Sequence, residues 1–332
     1  MQHGRKRTTA LVATLIALMT ALVTVGIGFA VPAATAKPDL KTVKKQVEKL
    51  DQQAEAASER YNDAKVRLGQ TRTALSSLNS DLGRQKAVVG TMRRQVAAMV
   101  VDQYQGDALS TTSQVVLSTN PDAFLDNLNA VSAYNSQRGQ VMTQFTNELD
   151  RLVLRKSAVK SEAKRLQSLE GQMAREKSEI DAKASRAHAL LDKLEAAQQA
   201  AILGGDYTGA VPTFSGGSRA AVALRYAMAQ IGKSYVYGAA GPGAFDCSGL
   251  MMRAWGAAGV GLPHSSRAQQ GSGMRVSEGQ LQPGDLVFYY SPVSHVGMYI
   301  GNGLIVNAEN PRAGVRVTGL HTMPYVGAVR PG

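Results

Sequence analysis

Cysteine is nearly absent: Cys247 is the single one in 332 residues. One thiol cannot close an internal disulfide, so covalent bridging within a monomer is excluded. Proline is missing from the stretch between Leu40 and about Leu203 except at Pro121, and aromatics are sparse there. That composition excludes a turn-rich β architecture for this half. After Val31 no apolar run is long enough to span a bilayer, so no later segment reads as a transmembrane helix.

What is present at the N-terminus is ordered like an export signal. Arg5-Lys6-Arg7 precedes an apolar run from Ala10 to Val31, and Ala34-Thr35-Ala36 offers a small-residue cleavage site. The reading is a signal peptide over 1–36 with cleavage after Ala36; an uncleaved anchor is the alternative. The net charge is +12, and three basic residues but no acids lie in the first 36, leaving +9 on the remainder. Export removes nucleic acid as a partner. The excess then points to anionic wall polymers or lipid headgroups, or simply to a solvated Lys/Arg-rich helical surface.

Composition divides the rest. Residues 37–203 are rich in Ala, Gln, Lys, Glu and Leu, and residues 218–332 in Gly, Pro, Tyr and β-branched types. Between them, 204–217 has the composition of a flexible linker. Stepping by four and three from Val43 through Val47, Leu50, Ala54 and onward to Met99 meets only two polar residues, Thr71 and Gln85. This is a coiled-coil seam. A second helix carries a seven-residue column from Phe145 through Leu152, Val159, Leu166, Met173, Ile180, Ala187 and Leu194 to Ala201. Its expected companion column is mixed, with Lys156, Glu170 and Lys177 among Leu149, Ala163 and Leu191. Asn120-Pro121-Asp122 signals a turn and helix start before a short amphipathic piece at Phe124, Leu125, Leu128 and Val131. The expected architecture is a long antiparallel helical hairpin with a small helical cap. A parallel dimer is the alternative, and the sequence sets no oligomeric state. His188 reads as structural or solvated.

The last third reads as an α+β domain. A helix over 220–231 precedes the cysteine segment. Strands follow at Leu286–Tyr289, Ser294–Ile300 and Leu304–Glu309. Asp246 is a candidate N-cap that places Cys247 in the first turn of a helix, where the dipole favours thiolate. If Gly301-Asn302-Gly303 forms a three-residue loop, 300 pairs with 304, and His295, Asn307 and Glu309 share one side of the sheet. A two-residue Asn-Gly turn puts Asn307 on the other side. Gly297 leaves room beside the imidazole. A thiol, an imidazole and a polar orienter are the minimum set for thiol catalysis, with Asn307 and Glu309 both open as the third member. His264 and His321 lie in loop-like sequence and read as bland. No His, Asp and Glu cluster has metal-ligand spacing, and no cofactor is expected.

Five ordered segments, Tyr235-Val236-Tyr237-Gly238, Phe245-Asp246-Cys247-Ser248-Gly249, Leu262-Pro263-His264-Ser265-Ser266, Gln282-Pro283-Gly284-Asp285-Leu286 and His295-Val296-Gly297-Met298-Tyr299, resemble the motifs of NlpC/p60 peptidases. These are papain-like cysteine peptidases that cut peptidoglycan stem peptides. The helical half resembles, more loosely, the coiled-coil regions of division-associated hydrolases such as the mycobacterial Rip group. The resemblance implies Cys247 as nucleophile, His295 as base and Asn307 as third member. Histidine is commoner at that last position, and asparagine orients without adding charge. It also implies Tyr235 beside the oxyanion, Asp246, Ser248 and Ser265 along the substrate cleft, peptidoglycan as substrate, and cleavage of the D-γ-glutamyl–meso-diaminopimelate bond. A catalytically quiet scaffold and an amidase or acyltransferase are the rival readings. Finally, the linker's reach of roughly 20 Å lets the helical half fold over the cleft above Cys247 until a partner binds the helices, and the resemblance implies a division-site membrane complex as that partner. The alternative is a spacer or wall tether.

Overall fold

The computed structural model describes residues 39–104, 121–194, 198 and 212–332. The expected signal segment, residues 105–120 and the linker residues 204–211 lie outside them. Leu40–Gly332 forms one compact unit. No helix of the described residues is long and apolar enough to cross a membrane.

Two helices, α1 (Leu40–Tyr104) and α2 (Pro121–Leu191), make the hairpin. Pro121 is the first residue of α2, where its fixed φ and missing N–H cost nothing. The piece expected as a separate cap is therefore the opening of α2, and Leu125 and Leu128 on it are exposed. Partner numbers run in opposite directions along the pair, as antiparallel packing requires. Arg60 meets Glu176 at 2.9 Å, Arg72 meets Glu170 at 3.2 Å, and the Gln85 amide donates to the Glu148 carbonyl at 3.1 Å.

Every expected seam position of α1 from Val43 to Met99 is buried or half-buried, as is the α2 column from Phe145 to Leu194; Ala201 lies outside the described residues. The companion column is corrected. Lys156, Glu170 and Lys177 point to solvent, and the covered positions are one residue earlier: Glu148, Arg155, Glu162, Leu169 and Glu176. The reason is spacing. A seam steps three residues from Phe145 before it steps four, and of the polar residues so placed Glu148 is met by Gln85, Arg155 by Asp81 at 3.5 Å and Glu176 by Arg60.

The α+β domain starts with α3 (Arg219–Met228), capped by Ser218, whose hydroxyl accepts from Ala221 N. The helix expected over 220–231 ends at Met228, and Ile231 beyond it is exposed. A small parallel pair, β1 (Ser234–Tyr235) and β2 (Ala244–Phe245), leads into α4 (Cys247–Ala257) and the single turn α5 (Ser266–Gln269). The main sheet comprises β3 (Met274–Val276), β4 (Leu286–Tyr289), β5 (His295–Gly301), β6 (Leu304–Ala308), β7 (Val315–Gly319) and β8 (Tyr325–Arg330). It is antiparallel throughout, in the order β3-β8-β4-β5-β6-β7. Strands β3, β7 and β8 were not foreseen.

Period-two alternation builds the core. Leu286, Phe288, Val296, Met298, Val306, Val317 and Val329 pack with Leu224, Leu250, Met251 and Trp255 of α3 and α4. Val287, Tyr289 and Ile305 form a second cluster with Leu320. Both clusters consist only of residues from this domain, so its interior does not depend on the hairpin.

The β5–β6 turn differs from expectation in form but not in consequence. Gly301 pairs with Leu304 around the two-residue turn Asn302-Gly303, whose φ values are 54° and 69°. Both central residues at positive φ are what a type I′ turn demands. A bulge at Ile300 then returns the register to Tyr299–Ile305 and Met298–Val306, so that Asn307 still lies beside His295.

Candidate active site

Asp246 is the hub from which the site is built. Its Oδ1 caps α4 by accepting from Gly249 N at 2.6 Å and lies 2.8 Å from His264 Nε2. Its Oδ2 accepts from Gly238 N at 2.9 Å. Position 249 must be glycine: a Cβ there would come within 2.3 Å of the Ala239 carbonyl oxygen and 2.8 Å of Asp246 Oδ1. The turn delivers Cys247, wholly buried, into the first turn of α4.

His295 opens β5 and is also wholly buried. Its Nε2 lies 3.0 Å from Asn307 Oδ1, and the Asn307 amide donates onward to Thr318 Oγ1 at 2.9 Å. The chain therefore fixes the ring from the adjacent strand. Glu309 instead pairs with Arg316 at 3.3 Å. Gly297 does not leave a space beside the ring. The room a Cβ would take is filled by Ile305 Cδ1, 2.8 Å away, and Asn307 Cβ, 3.2 Å away.

The remaining faces of both groups are taken by α1. Glu55 Oε1 sits 2.6 Å from His295 Nδ1 and accepts from the Tyr235 hydroxyl at 3.4 Å. Glu59 Oε1 accepts from the Cys247 thiol at 3.5 Å and from Ser248 Oγ at 2.7 Å, while its Oε2 accepts from Ser266 N at 2.5 Å. One turn further, Asn62 donates to Asp246 Oδ2 at 2.9 Å. At the other end Asp51 pairs with Arg312. A ligand atom each from Glu55, Cys247 and His295 lies within 4.8 Å of the other two, so groups with no metal-like spacing in sequence converge through the fold.

The electrostatics follow from this burial. Desolvation pushes the Cys247 thiol well above its ordinary range, and the charges of Glu59, Glu55 and Asp246 push it further, against one favourable contact from the Val296 backbone. The thiolate expected from the helix dipole is thus overridden: the dipole's partial charge is outweighed by three carboxylates in a dry site. Burial disfavours the His295 imidazolium, but the charge and hydrogen bond of Glu55 win, and the ring's pKa is raised. Burial, reinforced by Asp246, raises Glu59 despite its bonds to Ser248 and Ser266.

Of the residues singled out from sequence, Cys247, His295, Asn307, Tyr235, Asp246 and Ser248 converge here. Ser265 is buried but spends its hydroxyl capping α5, accepting from Ala268 N at 3.3 Å; the neighbouring Ser266 N–H faces the cleft instead. His264 is a satisfied structural histidine, its ring bound to Asp246. Sequence reasoning missed Asp51, Glu55, Glu59, Asn62 and Arg312. The only signal was a polar stripe at intervals of four, four and three beside the apolar seam, which a solvated helix face shows equally well.

A wholly buried cysteine opening a helix and a strand histidine locked by a neighbouring asparagine, on an antiparallel α+β scaffold, define the thiol–imidazole class of site. Residues 232–328 match the NlpC/P60 family, and this domain belongs to it. A probable endopeptidase of Mycobacterium tuberculosis (strain ATCC 25618 / H37Rv) is 48% identical over 106 residues, covering 32% of this chain and 27% of that relative. A probable endopeptidase of Corynebacterium glutamicum (strain ATCC 13032) is 39% identical over 131 residues, covering 40% of this chain and 61% of the relative. The chain thus spans a minor share of the first relative and under two thirds of the second. Among solved structures, the NlpC/p60 domain of the peptidoglycan hydrolase SagA is 30% identical, with 33% of this chain and 97% of that one covered and a TM-score of 0.32.

Proposed function

We propose that the chain is an exported cysteine endopeptidase that cleaves an amide bond of peptidoglycan stem peptides, and that the hairpin holds it shut in the state described. The observation that carries the first part is the His295–Asn307 bond beside Cys247 within a family-matched domain. With Nε2 held by Asn307, Nδ1 is the nitrogen free to serve the thiol once Glu55 leaves. The Cys247 proton passes to His295, and the sulfur attacks the amide carbonyl. His295 returns the proton to the leaving amine, and water then hydrolyses the thioester. The Cys247 backbone N–H, with the Tyr235 hydroxyl, stabilises the oxyanion. By family resemblance the bond is D-γ-glutamyl–meso-diaminopimelate.

The second part rests on α1. Glu55 occupies the nitrogen the thiol needs and Glu59 occupies the thiol's own hydrogen bond, so the pair cannot form while α1 is docked. The N-terminal basic, apolar and small-residue order supports export. A division-site membrane complex that binds the hairpin is the release signal this arrangement suits. Incubation of purified muropeptides with the full chain, with Glu55→Ala/Glu59→Ala and with the same double variant carrying Cys247→Ala tests both parts. Product masses from the double variant should show one stem-peptide bond hydrolysed, with no product from the cysteine variant. Transfer products or no cleavage would contradict the endopeptidase reading.

A further inference from the structure

The face of α1 that closes the cleft is acidic, which is the expensive way to seal a buried surface. Each carboxylate meets a donor supplied by the α+β domain. Two of these donor sets, Ser248 with Ser266 N–H and His295 with Tyr235, belong to the reaction centre. The third does not. Arg312 lies in the turn after β6, and its side chain is only 10% exposed. Among the described residues its ion pair is with Asp51 of α1, whereas the nearby Glu309 is engaged by Arg316. The domain therefore carries a largely buried cation balanced from outside.

The backbone of the turn that carries it is fixed. Asn310 Oδ1 accepts from both Arg312 N and Ala313 N at 3.0 Å, and the Asn310 carbonyl accepts from Gly314 N at 2.9 Å. A groove of about 440 Å³ runs beside it, lined by Tyr235, Tyr237, Tyr290, Asn310 and Arg312 on the domain side and by Asp51 and Glu55 on α1. Tyr235 belongs to the reaction centre as well, so the groove and the thiol site are continuous.

We infer that Arg312 binds a carboxylate of the substrate, and that Asp51 imitates it in the closed state. This rests on the peptidase reading above. The spacing is informative. Asp51 and Glu59 are eight helical residues apart, about 12 Å along the axis at roughly 1.5 Å per residue. An extended peptide covers that distance in three or four residues at about 3.3–3.6 Å each. The ligand class is thus a short peptide with two carboxylates so separated, one at Ser248/Ser266 and one at Arg312. A planar guanidinium on an ordered turn suits bidentate carboxylate recognition better than a lysine would.

The test uses the full chain with Asp51→Ala, Glu55→Ala and Glu59→Ala as parent, so that the cleft is open. Synthetic stem tetrapeptides are compared with analogues in which each carboxylate is converted in turn to a carboxamide. Arg312→Gln should raise KM roughly ten- to hundredfold with kcat nearly unchanged. One carboxamide analogue should be as poor for the parent, and on that analogue Arg312→Gln should add nothing. Arg312→Lys should recover part of the loss. An unchanged KM, or the same loss on every peptide including the amidated ones, overturns the assignment. Calorimetric binding of the same peptides to parent and Arg312→Gln, both carrying Cys247→Ala, keeps the two readings apart. Arg312-dependent binding without cleavage would sink the peptidase reading and leave Arg312 standing; cleavage with Arg312-independent binding would do the reverse.

Discussion

Glu55 of α1 and His295 of β5 are 240 positions apart in sequence and 2.6 Å apart in space, carboxylate oxygen to Nδ1. That contact sets a helix carboxylate against the imidazole nitrogen that would otherwise serve the thiol. The imidazole is charge-matched to a helix instead of to its cysteine, and the thiol is left neutral.

Removing the nucleophile should abolish hydrolysis without disturbing the fold. In the Glu55→Ala/Glu59→Ala background, Cys247→Ala is expected to lower muropeptide cleavage by on the order of 10³-fold or more, with an unchanged circular dichroism melt. Cleavage that survives both this substitution and thiol alkylation would place the chemistry elsewhere.

The orienting residue should be Asn307. In the same background, Asn307→Ala is expected to cost about tenfold or more in kcat, while Glu309→Ala stays within a few-fold. The reverse ranking at equal melting temperature would mean that Glu309 acts on the ring.

Rising pH should loosen the docked helix. Glu59's carboxyl is raised in the closed state above its ordinary 4.5, so its contribution is fully present below about that value and is lost as pH rises through the raised one. His295, raised above 6.5 by Glu55, acts in the same direction at higher pH. The melting temperature of the full chain should fall from acid to mildly alkaline pH, and Glu59→Gln should flatten the lower part of that slope. A Glu59→Gln profile parallel to the wild type would remove Glu59 from the account.

Gly249→Ala should destabilise the domain by about 1–3 kcal/mol, because its methyl group would collide with the Ala239 carbonyl and the Asp246 cap. A melting temperature equal to wild type would mean that the turn before α4 is more compliant than its contacts indicate.

Much of this was legible in the chain, for physical reasons that differ by region. Val43 to Met99 announced a helix because a seam repeats many times and each repeat adds to the signal. His295 and Asn307 could be brought together because strand parity fixes faces, and the bulge at Ile300 happened to conserve the parity that the assumed loop gave; Cys247 joined them through its helix-start motif and the family resemblance. Strand β8 was missed because Tyr325–Arg330 pairs with β3 and β4, far back in the chain, and β7 because the turn that joins it to β6 carries no short hairpin signal. Glu55 and Glu59 were invisible for a deeper reason. A carboxylate four residues from another on a helix has the same local signature whether it faces water or a cysteine 188 positions away. Only the tertiary fold separates the two, and it also reverses the thiolate expected from the dipole of α4.

The most direct measurement is the rate at which a small uncharged reagent alkylates Cys247 at neutral pH, in the full chain and in Glu55→Ala/Glu59→Ala. A closed site predicts a full-chain rate well below that of free cysteine and an increase of roughly tenfold or more in the variant, as the thiol regains its imidazole and loses two facing charges. Equal rates in the two proteins, with the thiol already reactive in the full chain, would contradict closure by α1.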